Sequence, residues 1–175
     1  MEDYVTSLGK LIGNLHSLEM ALRAHLGGLD ESATQPFSPI QLENLHPGIQ
    51  LPENAFTNFD SLAKLIRKFN CSLSPNQLHL AVETGLVDLR DAIAHGRVFA
   101  KRAASPMFLI KFTRPKEGRV EVAFAAKLTP NWLMRQRKRV ARSIQNIRAA
   151  GGPAFPIGNN RPCPASTVAR TKRTA

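Results

Sequence analysis

The sequence predicts a mainly α-helical protein: an antiparallel bundle of four helices, with a β-hairpin inserted between the third and fourth helices. Leucines recur every three or four residues near the N-terminus, later segments repeat that helical spacing, and one stretch alternates apolar with polar residues. Of the 175 residues 43% are apolar, which is enough for one compact domain. We place this domain at residues 1–150, followed by a disordered basic tail at 151–175.

The first helix is predicted over about residues 3–26, because leucines form one stripe along it and Gly27-Gly28 follows. Glu19 lies inside that stripe on a helical wheel. Two interpretations stay open: Glu19 is an edge residue paired with Arg23, or it is buried and paired with an arginine of a later helix. In the second case Glu19 would need a partner, because an unpaired buried charge is costly. Arg90 is the candidate for that partner.

Residues 27–57 hold four prolines and no sustained periodicity, so they are predicted to be a long connection. A short second helix is expected from about Phe59 to Asn70. The third helix should begin at Ser74-Pro75 and end before Gly96. Its predicted core stripe consists of Leu78, Val82, Leu86, Leu89 and Ile93.

The hairpin is predicted at about 107–126, where Phe108, Ile110 and Phe112 alternate with polar residues and a second alternating run follows. Its apolar side is expected to pack on the helices, because two strands alone are marginally stable. The tip carries three cations that could contact a phosphate backbone or serve solubility alone: Arg114, Lys116 and Arg119.

The fourth helix is predicted over about 131–150. Opposite its apolar stripe, four cations share a face that is predicted to have no acidic residue to neutralise it: Arg135, Lys138, Arg139 and Arg142. Such a face suits contact with RNA, and simple solvation is the alternative. Because Trp and Tyr occur once each, we expect no aromatic platform for base stacking.

Charge divides the chain at residue 90. Residues 1–89 carry a net charge of −5 and residues 90–175 a net charge of +16, within a total of +11. A cationic half is typical of proteins that bind phosphates, with anionic membranes or acidic proteins as rival partners. Nucleic acid is the class of partner that we favour among these.

No metal site, cofactor or disulfide framework is predicted, because Cys71 and Cys163 do not form a spaced ligand set. No apolar run approaches 18 residues, and acidic Glu2 and Asp3 stand where a secretion signal would be basic. We therefore expect a cytoplasmic protein with no membrane partner.

The most informative segment is Arg90-Asp91-Ala92-Ile93-Ala94-His95, closed by Gly96 at the end of the third helix. Arginine provides a permanently charged fork suited to phosphate oxygens. Histidine can exchange a proton near neutral pH. The pair could therefore act together on a phosphodiester.

This segment resembles the motif of the HEPN superfamily, in which four to six residues separate an arginine from a histidine, and the order of helices is similar too. The resemblance implies a metal-independent endoribonuclease in which His95 transfers protons, Arg90 stabilises negative charge and Asp91 orients His95. It also implies a homodimer with a composite active site. The resemblance further suggests a role in toxin-antitoxin or anti-phage defence, with an antitoxin or defence partner.

Two other functions stay open. In a non-catalytic HEPN-like dimerisation or binding module, Arg90 and His95 would hold the fold together and the basic face would bind nucleic acid or a partner. A DNA-binding regulator is weaker, because the chain shows no helix-turn-helix spacing.

Overall fold

The computed structural model describes residues 2–28, 46–51, 53–54, 57–100, 102 and 107–151. These are mainly helical: α1 (Glu2–Gly28), α2 (Leu62–Ser72), a 3₁₀ helix (Pro75–Leu80), α3 (Gly85–His95) and α4 (Pro130–Ala150). Strands β1 (Arg97–Phe99), β2 (Met107–Phe112) and β3 (Val122–Leu128) form one antiparallel sheet in that order. The predicted tail beyond Gly151, and most of the predicted 27–57 connection, lie outside the described residues.

The pairing of α1 with α4 forms the largest part of the core, and both helices occur where the sequence predicts them. Thr129 begins α4, since its hydroxyl accepts a hydrogen bond from the Trp132 amide at 3.1 Å and Pro130 occupies the first turn. None of the described helices is both long and apolar enough to cross a bilayer. The buried leucines of α1 belong to the core cluster that also contains Leu133, Val140 and Ile147 of α4: Leu11, Leu15, Leu18 and Leu22.

The predicted third helix is not continuous, and that prediction was wrong. The chain leaves helical conformation at Ala81 (ψ 139°), between the 3₁₀ helix and α3. Asn70 holds this break, because its amide donates to the Val82 carbonyl at 2.9 Å and its oxygen accepts from the Val82 amide at 2.8 Å. The side chain of Asn70 thus replaces the helical partners of Val82. Leu78, predicted to be core, is 61% exposed as a result.

The predicted hairpin is part of a three-stranded sheet, because β1 follows α3 directly and pairs with β2. Its packed side also differs from the prediction. Leu109, 2% exposed, faces the helices, so the neighbouring Phe108 and Ile110 point to the opposite side of the pleated strand. Packing against α3 determines which side of β2 faces the helices, because Leu109 packs with the fully buried Ala92.

α3 packs most closely on β2 and β3. Ala92 forms a small core with Leu109 and Leu128, while Leu86 and Leu89 turn toward the larger core shared with α1. The motif-bearing helix therefore lies between the helical core and the sheet. The structure shows a mainly helical protein with a small three-stranded antiparallel sheet.

Candidate active site

The position of His95 depends on a tight junction at Gly96, where α3 ends. The Gly96 amide donates to the Ala92 carbonyl at 2.7 Å. A Cβ on Gly96 would overlap that carbonyl oxygen and lie 2.7 Å from Leu109 Cδ1. With φ −78° the backbone is ordinary, so the close approach of the Ala92 carbonyl and of β2, rather than conformation, requires glycine. His95 is thereby held beside the sheet.

Arg90, Asp91 and Lys111 form a chain of charges across the junction of helix and sheet. Arg90 Nη1 lies 3.3 Å from Asp91 Oδ1, and Lys111 Nζ lies 3.3 Å from Asp91 Oδ2. The three side chains are partly exposed, at 42%, 37% and 27% respectively. Two cations thus share one carboxylate at the surface, and both have donors left for a phosphate.

Sequence reasoning missed Lys111, because it placed this lysine on the polar side of a hairpin. The register pairs Lys111 with Phe124 and Leu109 with Ala126. Lys111 therefore shares the helix-facing side with the buried Leu109. The signal that could have found it is the two-residue spacing from Leu109, the most buried residue of the strand.

His95 is exposed, and its ring has no hydrogen-bond partner among the residues that the structure describes. Asp91 lies one turn earlier, about 40° away around the helix, while Arg90 is about 140° away at roughly 100° per residue. Asp91 bonds to Arg90 and Lys111 instead of His95. The orienting role predicted for Asp91 toward His95 is thus not seen in these contacts.

Glu19 pairs with Arg23 and not with Arg90, so the second of the two interpretations was wrong. Arg23 Nη2 lies 2.9 Å from Glu19 Oε1, and the guanidinium also donates to the backbone carbonyls of Asn58 and Asp60. Arg23 is only 8% exposed. This buried arginine joins α1 to the segment before α2, and Glu19 belongs to that connection.

The cationic face of α4 is partly neutralised, contrary to the prediction. Arg139 donates to Glu83 Oε2 from Nη2 at 2.6 Å and from Nε at 3.0 Å. Glu83 comes two residues before Gly85, the first residue of α3, so this face lies near the N-terminal end of that helix. The other three predicted cations of the face are exposed: Arg135, Lys138 and Arg142.

The hairpin tip is a tight turn. Lys116 and Arg119 exchange backbone hydrogen bonds of 2.8 and 3.0 Å, and both residues between them have positive φ, 53° at Glu117 and 74° at Gly118. This is the geometry of a two-residue hairpin turn that follows the strand twist. Lys116 and Arg119, together with Arg114, project exposed cations as the sequence predicts.

Across the described part of the chain, no group of three or more His, Cys, Asp or Glu side chains is arranged to hold a metal ion. Comparison of the chain with protein-family models, with curated proteins and with solved structures found no match. The geometry of the site therefore has to support any functional assignment.

Proposed function

We propose that this chain is a metal-independent endoribonuclease of HEPN type, with a HEPN-like four-helix arrangement, that acts as a homodimer in the cytoplasm. RNA is its substrate, and toxin-antitoxin or anti-phage defence is the setting in which such an activity would serve. Arg90 and His95 form the reactive pair. The sequence motif suggests this assignment, and the geometry of the motif helix supports it.

One observation carries the proposal: Arg90 and His95 are both accessible on a helix whose end is fixed against a sheet. Burial of either side chain would have argued for a structural role. An exposed imidazole with no partner among the described residues is available for proton transfer. An arginine that shares its only described acidic partner with a lysine keeps donors available for a phosphate.

In the proposed reaction the ribose 2′-hydroxyl attacks the adjacent phosphorus while a histidine takes its proton. The P–O5′ bond breaks, and a second proton donor protonates the leaving 5′-oxygen. The products are a 2′,3′-cyclic phosphate and a 5′-hydroxyl. Arg90 and Lys111 stabilise the charge that develops on the non-bridging phosphate oxygens. Asp91 positions both cations.

This reaction uses two proton-transfer groups, and one chain supplies one motif histidine. Arg90 and His95 also point about 140° apart around α3, at roughly 100° per residue. A second copy related by a two-fold axis would bring two arginines and two histidines to one cleft. Homodimerisation therefore completes the proposed site.

The test is incubation with structured and single-stranded RNA in EDTA, beside matched DNA, for the wild-type chain and for His95→Ala and Arg90→Gln. We expect cyclic-phosphate ends on RNA only, loss of cleavage by about 100-fold or more in His95→Ala, as for removal of a general acid-base group, and unchanged melting temperatures. Sedimentation equilibrium should give about twice the chain mass of 19.3 kDa. Cleavage of DNA, or full activity of His95→Ala, would refute the proposal.

A non-catalytic binding or dimerisation module is the second candidate. The observation that favours it is the ion-pair chain itself, since Arg90, Asp91 and Lys111 connect α3 with β2. Under this alternative Arg90→Gln lowers the melting temperature and no RNA is cleaved. Both readouts come from the same experiment.

A further inference from the structure

The side of the sheet that faces away from α3 carries three phenylalanines and two cations. We call this surface the outer sheet face, and it consists of Arg97, Phe99, Phe108, Ile110, Phe112 and Lys127. Phe99 pairs with Phe108 in register, and their rings stack with centroids 5.7 Å apart and planes 20° apart. Phe99 is 44% exposed and Phe112 37% exposed. Phenylalanines therefore form the platform that the single Trp and Tyr led us not to expect.

Cations border these rings. The Arg97 guanidinium carbon lies 5.6 Å from the centroid of the Phe112 ring. Lys127 is the register partner of Phe108, so it shares this side of the sheet. Both cations are exposed, and the three described strands contain no Asp or Glu. The outer sheet face is thus aromatic and purely cationic.

We propose that the outer sheet face binds single-stranded RNA, with unpaired bases stacked on Phe99 and Phe112 and with phosphates on Arg97 and Lys127. Aromatic rings stack on any base, and neighbouring cations follow the phosphate chain. In duplex RNA the faces of the bases are already stacked and unavailable. A second copy of this chain is a poorer occupant, because an isologous contact would bring the same cations of two copies together.

This surface adjoins the proposed active site. Arg97, the first residue of β1, follows His95 by two residues, which span at most about 7 Å of extended chain. RNA held on the outer sheet face would therefore run close to His95. The inference rests on the proposed function for its choice of RNA, and it names single-stranded RNA as the substrate class.

Binding is measured with a fluorescein-labelled single-stranded 12-mer RNA and a duplex of the same sequence, in the His95→Ala background so that the probe is not cleaved. The double variant Phe99→Leu/Phe112→Leu removes two rings and keeps apolar side chains. Phe59→Leu is the matched control, because Phe59 is fully exposed and lies outside the sheet. We expect the double variant to weaken single-strand binding by roughly tenfold or more and duplex binding by less than about twofold, and the control to change neither.

Arg97→Gln should remove about one phosphate contact. The slope of the logarithm of the binding constant against the logarithm of salt concentration should therefore become shallower by about one. The platform is refuted if the protein with an intact outer sheet face does not bind the single strand, or if the double variant binds it as the control does. It is also refuted if sedimentation shows that the double variant no longer forms a dimer, because a second copy of the chain would then be the occupant of this face. Cleavage by chains with His95 intact is scored separately. If binding depends on the rings but no RNA is cleaved, the nuclease proposal is refuted and the platform proposal stands. If RNA is cleaved but binding does not depend on the rings, the platform proposal is refuted and the nuclease proposal stands.

Discussion

Lys111 Nζ lies 3.3 Å from Asp91 Oδ2, so an ion pair joins the middle strand of the sheet to the motif helix. Asp91 also contacts Arg90 at 3.3 Å. The three residues are separated along the chain by up to 21 positions, yet they form one charged group at the surface. This arrangement makes Lys111 part of the candidate site.

Replacing Lys111 by Met should affect cleavage more than stability. A partly exposed ion pair contributes about 0–1 kcal/mol, so the melting temperature should change little. Without Lys111, the whole charge of Asp91 acts on Arg90 and competes with the phosphate, and we expect roughly tenfold slower cleavage, as for loss of one charge-stabilising donor. Initial rates and thermal melts measure both effects. Lys10→Met, on an exposed position of α1, is the control, and equal rates for the two variants would contradict the assignment.

Gly96→Ala should destabilise the fold. The added methyl would meet the Ala92 carbonyl oxygen and Leu109, and a backbone atom cannot move aside cheaply. Overpacking of this kind costs about 1–3 kcal/mol of the free energy of unfolding. Urea denaturation measures it. Gly9→Ala should have the opposite effect on the free energy of unfolding. Gly9 lies in α1, and nothing lies within 4 Å of an added Cβ, so this substitution should stabilise the fold by roughly 0.5–1 kcal/mol.

Asn70→Ala should weaken the break between the 3₁₀ helix and α3. The substitution leaves the Val82 amide and carbonyl without the two hydrogen bonds that Asn70 provides. An unsatisfied buried group costs about 1–3 kcal/mol, which denaturant unfolding can resolve. Asn70→Asp keeps the acceptor but not the donor, so it should also destabilise. Asn76→Ala, at an exposed position, should be close to wild type; an equal loss there would contradict this role for Asn70.

Stability should fall as the solution becomes mildly acidic, through His25. This half-buried ring lies edge-on to Phe69 with centroids 4.9 Å apart, and burial lowers its pKa below the ordinary value of 6.5. The unfolded chain therefore binds a proton more readily than the folded chain. The contribution is fully present above about pH 6.5 and is lost as the pH falls toward the folded pKa.

Unfolding curves between pH 7.5 and about 5 test this effect. His25→Gln cannot titrate, so the loss of stability over this interval should be smaller in that variant than in the wild type. An identical pH profile for the two proteins would show that His25 is not responsible.

The sequence by itself determined the long first and last helices, α1 and α4, the hairpin tip and the place of the motif at a helix end. These features depend on local periodicity and turn chemistry, which adjacent residues specify. Tertiary structure decided the rest. Asn70 breaks the third helix from 12 positions away, packing of Leu109 on Ala92 selects the side of the sheet that faces the helices, and Glu83 neutralises Arg139. Each is a contact between residues far apart in sequence, which periodicity along a single element cannot contain.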